Sequence, residues 1–245
     1  KICHLVDLNQ DIQRPMMAST ADICFGTTEH ICKILKGHND RTFKIGHGYQ
    51  VPRLSSTFEF DIPGKNLKKA LYVGNLSMRY IDWDLLERSA NAFPEVDFVF
   101  VGPEGRSNLS SGRDKAKLNR DRLRQLDNVY FLGPINALDI PQVLGLADIL
   151  LIAYQEAHHK DQAAPHKIVE YLASGRAIAA TFTEEFVDAA PNLFMSRSNE
   201  DFLMQIQRAL DYYPDPSRPI TVPSYFQRIE EIEQCMMTLT TKFPR

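Results

Sequence analysis

The sequence predicts an α/β protein: a doubly wound parallel sheet, preceded by a second, partial α/β unit. Three observations point there. From Leu71 onward, short apolar runs alternate with stretches of helical period, the pattern of a parallel sheet covered by helices on both faces. Most of these runs close on Gly, Pro or Thr and are rich in β-branched or large apolar residues, as buried strands are. Finally, Ala21-Asp22-Ile23-Cys24-Phe25-Gly26 echoes Ala147-Asp148-Ile149-Leu150-Leu151-Ile152; each is a helix end running directly into a strand.

In chain order, residues 2–6 read as a strand already under way. Because the first residue is Lys1 rather than Met, a fragment is expected. Residues 1–50 are read as the remnant of a first unit. Residues 51–66 hold Pro52, Ser55, Ser56, Pro63 and Gly64 without helical period, which is linker composition. Residues 67–222 form the main unit. Its strands are expected at 70–73, 97–101, 129–132, 149–153, 177–180 and 193–195. Its helices are expected at 82–93, 115–126, 140–146 and 199–212. Residues 223–245 are expected to be a helix returning toward the first unit, with Phe226, Ile229, Ile232 and Met236 on one face.

Composition narrows the function. With 245 residues and 44% hydrophobic content, the chain can bury one large core or two small ones. A net charge of -3 supplies no global basic field, so nucleic acid is not an expected partner. Cys3, Cys24, Cys32 and Cys235 form no CxxC pair, which fits a reduced cytoplasmic compartment. No apolar run approaches the roughly 18 residues that span a bilayer. Walker, Gly-x-Ser-x-Gly and His-Glu-x-x-His motifs are absent from the sequence, which removes the usual support for phosphoryl transfer and hydrolysis.

The most informative stretch is Ala164-Pro165-His166-Lys167-Ile168-Val169-Glu170-Tyr171-Leu172-Ala173-Ser174-Gly175. Pro165 suits the first helical position and Gly175 the stop. The opening N–H groups lack intrahelical partners and carry the positive end of the dipole, so an anion is welcome there, with Lys167 adding a full charge. Diphosphate is the obvious candidate, with His166 its neighbour. Glu170, three residues on, lies on the same face and has the reach to accept hydrogen bonds from ribose hydroxyls. The plain alternative is a solvated Lys167/Glu170 surface pair.

Elsewhere, Gly74 and Asn75 follow a strand, and a glycine there lets backbone approach a phosphate; a simple turn is the other reading. Arg79 either reaches the same anion or is solvated. Backbone after Gly133, at Pro134 and Ile135, is placed to read a base edge, whereas Gly102-Pro103 is read as a plain turn. His158, His159 and His166 match no zinc spacing, and no metal or organic cofactor is expected. The basic run Arg106, Arg113, Lys115, Lys117, Arg120, Arg122 and Arg124 is either a solvated helix face or a peripheral contact with anionic lipid at the inner membrane face.

On these motifs, the chain resembles the nucleotide-sugar glycosyltransferases of the GT-B fold, above all the bacterial group 1, family 4-like enzymes of surface polysaccharide synthesis. The resemblance rests on Val73-Gly74-Asn75-Leu76, Phe131-Leu132-Gly133, Ala147-Asp148-Ile149-Leu150-Leu151, the 165–175 stretch and Ile45-Gly46-His47-Gly48-Tyr49. It implies a Rossmann-like donor-binding unit over 67–222 and the tail of an acceptor-side unit over 1–50. It also implies that Glu170 holds the donor ribose and that Lys167 faces the diphosphate. Many retaining members carry a second glutamate eight positions earlier; here that position is Gln162. The implied activity is transfer of a sugar from a UDP- or GDP-type donor to a glycan or lipid-linked acceptor, with Lys167 and Arg79 stabilising the leaving group. A fragment lacking most of the acceptor side is expected to bind donor better than it turns over. The alternatives are a nucleotide-sugar epimerase and a noncatalytic nucleotide-sugar-binding subunit.

Overall fold

A computed structural model describes residues 1–6, 14–50, 60–105, 117–159 and 164–240. The strands are β1 (Ile2–Leu5), β2 (Ile23–Gly26), β3 (Thr42–Lys44), β4 (Lys68–Val73), β5 (Val96–Val101), β6 (Val129–Gly133), β7 (Ile149–Ile152), β8 (Ala177–Ala180) and β9 (Leu193–Met195). The helices are α1 (Arg14–Thr20), α2 (Glu29–Lys36), α3 (Trp83–Ala92), α4 (Lys117–Leu123), α5 (Ile140–Gly145), α6 (His166–Ala173), α7 (Phe202–Leu210) and α8 (Tyr225–Thr240). All six strands expected after Leu71 are present, within two residues at each end. Residues 51–59 of the expected linker lie outside the described residues.

Two parallel sheets result. The smaller has the order β1-β2-β3 and the larger β6-β5-β4-β7-β8-β9. In the larger sheet the chain lays down β4, β5 and β6 outward, returns to place β7 beside β4, then continues outward through β8 and β9. The winding therefore reverses between β4 and β7, and in open α/β sheets the crevice outside the carboxyl ends of the strands at such a point is where ligands bind.

Alternation along the strands divides the core. Ala70, Tyr72, Phe98 and Phe100 point to the face covered by α3 and α7, meeting Leu85, Leu86 and Ile206. Leu71, Val73, Val99 and Val101 point to the other, meeting Val143 and Leu144 of α5 and Ile168 and Leu172 of α6. β5 is buried along its whole length, as a central parallel strand must be.

At the amino edge of this sheet, Asp97 is fully buried on β5 and receives Lys69 Nζ at 2.5 Å, the Asn66 backbone N–H at 2.9 Å and Asn66 Nδ2 at 2.9 Å. Gly64 passes so close that a Cβ there would stand 2.0 Å from Asp97 Oδ2. One carboxylate thus fixes where the chain enters the large sheet.

Between the sheets, Glu185, on the turn after β8, accepts from the Glu29 N–H at the start of α2 (2.6 Å) and pairs with Lys44 at 3.2 Å. A carboxylate is favourable at that helix end, where N–H groups are unpaired. The returning helix α8 packs Ile232 and Cys235 on Ile23, Phe25 and Ile45. The expected stripe is corrected: Phe226 and Ile229 are 70% and 50% exposed, and Met236 is also exposed. The contact face is rotated toward Arg228, whose Nε donates to the His47 carbonyl at 3.1 Å. Among the described residues no helix is long and apolar enough to cross a membrane.

Asp97→Ala strands the Lys69 ammonium at a site only 15% exposed. Denaturant unfolding is expected to show a loss of about 3 kcal/mol, the scale of a broken buried pair.

Candidate functional site

The carboxyl edge at the β4/β7 crevice is built by two connections, the turn after β4 and the start of α6. α6 opens at His166 with Pro165 as its cap residue in extended conformation (ψ 128°). This corrects the expected placement: Pro165 stands one position ahead of the first helical residue, so the His166 and Lys167 N–H groups begin the helix. Gly175 ends it with φ +73°, the left-handed stop that glycine permits.

Lys167 runs from the half-buried start of α6 into the crevice. Its Nζ lies 3.8 Å from the centre of the Tyr72 ring, and a Cβ at Gly74 would be 2.2 Å from that nitrogen. The ammonium and the Gly74 backbone are therefore in direct apposition. Cation–π attraction to Tyr72 stabilises the charge in part, but no carboxylate pairs with Lys167 among the described residues. Desolvation accordingly lowers its pKa to about 7, opposed by the Glu170 charge.

The turn after β4 is held in place from the other side. The Gly74 N–H donates to the Val101 carbonyl at 2.8 Å and Leu76 N–H to the Pro103 carbonyl at 3.0 Å. Asn75 Oδ1 accepts from Ser77 N–H at 2.9 Å, tightening the turn. Gly102, expected to be a plain turn residue, does more: a Cβ there would lie 1.8 Å from the Gly74 carbonyl oxygen, so only glycine allows the two turns to touch. Gly102 N–H in turn donates to the Gly133 carbonyl at 2.8 Å. Gly133, Pro134 and Ile135 thus lie at the same edge but two strands from β4, and Pro134 is exposed.

The other predicted residues sort differently. Glu170 Oε1 is 3.4 Å from His166 Nδ1, and this carboxylate is the main cause of the raised His166 pKa. His166 was expected beside the phosphate. Instead its Nε2 lies 3.3 Å from both the Gly48 carbonyl and the Tyr225 hydroxyl, and its ring meets His47 edge-on. It ties α6 to the segment after β3 and to α8. Arg79 is exposed on the loop after β4, and no hydrogen bond or ion pair links it to α6 among the described residues. His159 Nε2 contacts the Tyr154 carbonyl at 3.3 Å, and the described residues hold no cluster of metal-ligand type.

Arg106, Arg113, Lys115 and Gln162 lie outside the described residues. The rest of the basic run is engaged within the fold. Arg120 is buried against Glu104 and the Leu76 carbonyl, Arg124 pairs with Glu104, Arg122 with Asp84 and Glu87, and Lys117 with Asp121. These four cations give the lipid reading no support.

Residues 68–211 match the family model described as "Glycosyl transferases group 1". A Bacillus subtilis (strain 168) protein, assigned to teichuronic acid biosynthesis as glycosyltransferase TuaH, is 24% identical over 110 residues, 45% of this chain and 25% of that protein. Among solved structures, sucrose-phosphate synthase from Thermosynechococcus elongatus superimposes with TM-score 0.63 at 16% identity, covering 94% of this chain and 61% of that one. Anabaena HepE, solved with UDP and glucose, gives TM-score 0.64 at 18% identity over 98% of this chain and 71% of that one. These likenesses bear out the Rossmann-like, GT-B expectation for the fold. The chain spans only a quarter of the TuaH length and less than two thirds of the synthase.

Gly102→Ala forces its methyl group against the Gly74 carbonyl at a position with φ +146°. A stability loss of about 2 kcal/mol is expected in thermal or denaturant unfolding, because backbone rather than a flexible side chain must yield.

Proposed function

The chain belongs to the group 1 glycosyl transferases, and from that premise we propose that it moves a sugar from a nucleoside-diphosphate donor to a glycan or lipid-linked acceptor in surface polysaccharide synthesis. Residues 67–222 bind the donor, and residues 1–50 belong to the acceptor side. The observation that carries this reading is the apposition of the Lys167 ammonium and the Gly74 backbone at the switch point of the sheet. A desolvated cation without a carboxylate, beside unpaired helix N–H groups, is a place built for an anion.

The reaction this site suits is substitution at the anomeric carbon. The C–O bond to the diphosphate breaks and its electron pair leaves on the phosphate oxygen. The acceptor hydroxyl oxygen takes its place and gives up its proton. Lys167 and the α6 amino end stabilise the departing charge, so the proposal needs no metal. Glu170 is assigned to the ribose hydroxyls, a role that requires it to exchange its His166 contact for the ligand. Gly133, Pro134 and Ile135 are assigned to the base, which lies farther along the same edge. Asn75 orients the phosphate turn, and Arg79 is left the outer face of the diphosphate. HepE, solved with UDP, supports UDP as the first donor nucleotide to test. A cytoplasmic site of action at the inner membrane face belongs to the same proposal, because lipid-linked acceptors are presented there. Nothing in the comparisons favours an epimerase or a noncatalytic subunit.

The sign of the pH effect follows from Lys167. Without ligand it titrates at about 7; a diphosphate beside it favours the ammonium and raises that value. Above neutral pH, binding must then take up a proton, and affinity falls as pH rises, by at most about tenfold per unit. Calorimetry of UDP in buffers of different ionisation enthalpy, near pH 8, is expected to show uptake of up to one proton. Lys167→Met should abolish the uptake and weaken binding by about 1–3 kcal/mol. Undiminished affinity in that variant would overturn the assignment.

A second calorimetric comparison tests Glu170. Glu170→Ala is expected to weaken UDP by about 1–3 kcal/mol while leaving inorganic diphosphate unaffected, because only the ribose contact is lost.

A further inference from the structure

Resting on the donor-site reading above, we propose that Tyr171 is a positioning residue of that site: its hydroxyl replaces the strand partner that β4 lacks at Val73 and thereby holds Lys167 against Gly74.

The geometry begins with an unequal pairing. β4 pairs with β5 over six residues, through Val73 opposite Val101. With β7 it pairs only at Ala70 and Leu71, opposite Ile149 and Leu150. The two strands on either side of the switch point part before β4 ends. Gly74 directs its N–H toward β5, and Val73, the residue before it, is turned the other way, toward the gap. Val73 is 7% exposed, so its N–H and carbonyl would be a buried pair without partners, at a cost that native structures rarely carry.

Tyr171 fills this place. Its hydroxyl oxygen accepts from the Val73 N–H at 2.9 Å and its hydroxyl proton points to the Val73 carbonyl at 3.3 Å. One O–H group can donate and accept at once, so a single side chain satisfies what a strand would otherwise satisfy. A strand in that position would close the crevice. A hydroxyl reaching in from α6 leaves it open.

The same contact sets the position of the cation. Tyr171 is four residues after Lys167, one turn along the helix. α6 therefore engages three consecutive residues of the β4 end: Lys167 lies over the Tyr72 ring, Tyr171 bonds Val73 and Lys167 faces Gly74. Two contacts one turn apart fix both the height and the rotation of the helix against the phosphate turn. Phenylalanine would fill the same volume and hold neither.

The test is Tyr171→Phe in the full chain, with UDP and uridine titrated by calorimetry. UDP affinity is expected to fall by about tenfold to a hundredfold, the cost of misplacing a binding group by about an ångström. Uridine affinity should change less than about twofold, the base and ribose contacts being elsewhere, and proton uptake near pH 8 should shrink because a displaced Lys167 is already charged in water. Asn128→Ala, which removes three hydrogen bonds to the Ala90, Phe93 and Val96 carbonyls, controls for lost stability and should leave UDP binding unaltered. Equal UDP affinity in wild type and Tyr171→Phe, or parallel loss of UDP and uridine, overturns the positioning role alone. Failure of the wild type to bind UDP or GDP overturns the donor-site reading with it. Should the variant not fold, hydrogen exchange on the unsubstituted chain decides: the Val73 amide must be protected like the core of β5, and exchange at loop rates would overturn the inference.

Discussion

An ammonium group held out of water and away from carboxylates is expensive, and the fold places Lys167 in that situation. Its Nζ rests on the face of a buried aromatic ring and beneath a backbone turn that has no side chain to exclude it. The ring quadrupole recovers part of the lost hydration, and the rest appears as a proton held only weakly. Structures retain such groups where a ligand of opposite charge completes them. The reversal of strand order between β4 and β7, the short β4–β7 pairing, and the absence of side chains at Gly74 and Gly102 all serve to bring that one cation to an open edge.

The surroundings of α6 divide its duties by face. Ile168 and Tyr171 turn toward the sheet, Lys167 toward the crevice, and His166 with Glu170 toward the segment after β3 and toward α8. The helix is thus both the floor of a site and a bracket between two parts of the chain. Family membership and the likeness to GT-B structures give this arrangement its chemical reading, because that fold works with a nucleotide at the carboxyl edge of one sheet while a second sheet faces it.

Much of this was legible from residue order. Strands such as Val96–Val101 and Ile149–Ile152 announce themselves as unbroken apolar runs, and a Pro ahead of a Lys-x-x-Glu helix marks an anion site within a dozen residues. Contacts between distant positions were not legible. Tyr171 meets Val73 across 98 residues, and Arg120 reaches the Leu76 carbonyl across 44. The basic run looked like a surface field because its carboxylate partners, Asp84, Glu87 and Glu104, lie in other elements. Pattern alone also misjudged α8, whose apolar stripe at helical spacing is mostly exposed because the small sheet meets it one residue-row away, at Ile232 and Cys235. His166 was misjudged for a related reason: helix geometry permits a phosphate contact, but residues 47–49 and Tyr225 take the imidazole first.

The glycines at the strand ends form a continuous rail. Gly74 leans on β5, Gly102 presses against Gly74 and bonds the Gly133 carbonyl, so three turns on neighbouring strands are braced against one another without an intervening side chain. Backbone so joined has little freedom to bend locally, and a push at one end is transmitted rather than absorbed. Charge arriving at the first turn and a planar ring arriving at the last would press on a common rigid beam. The site can therefore favour a ligand whose two ends are separated by the right span over the same two pieces supplied apart, a ruler made from three missing methyl groups.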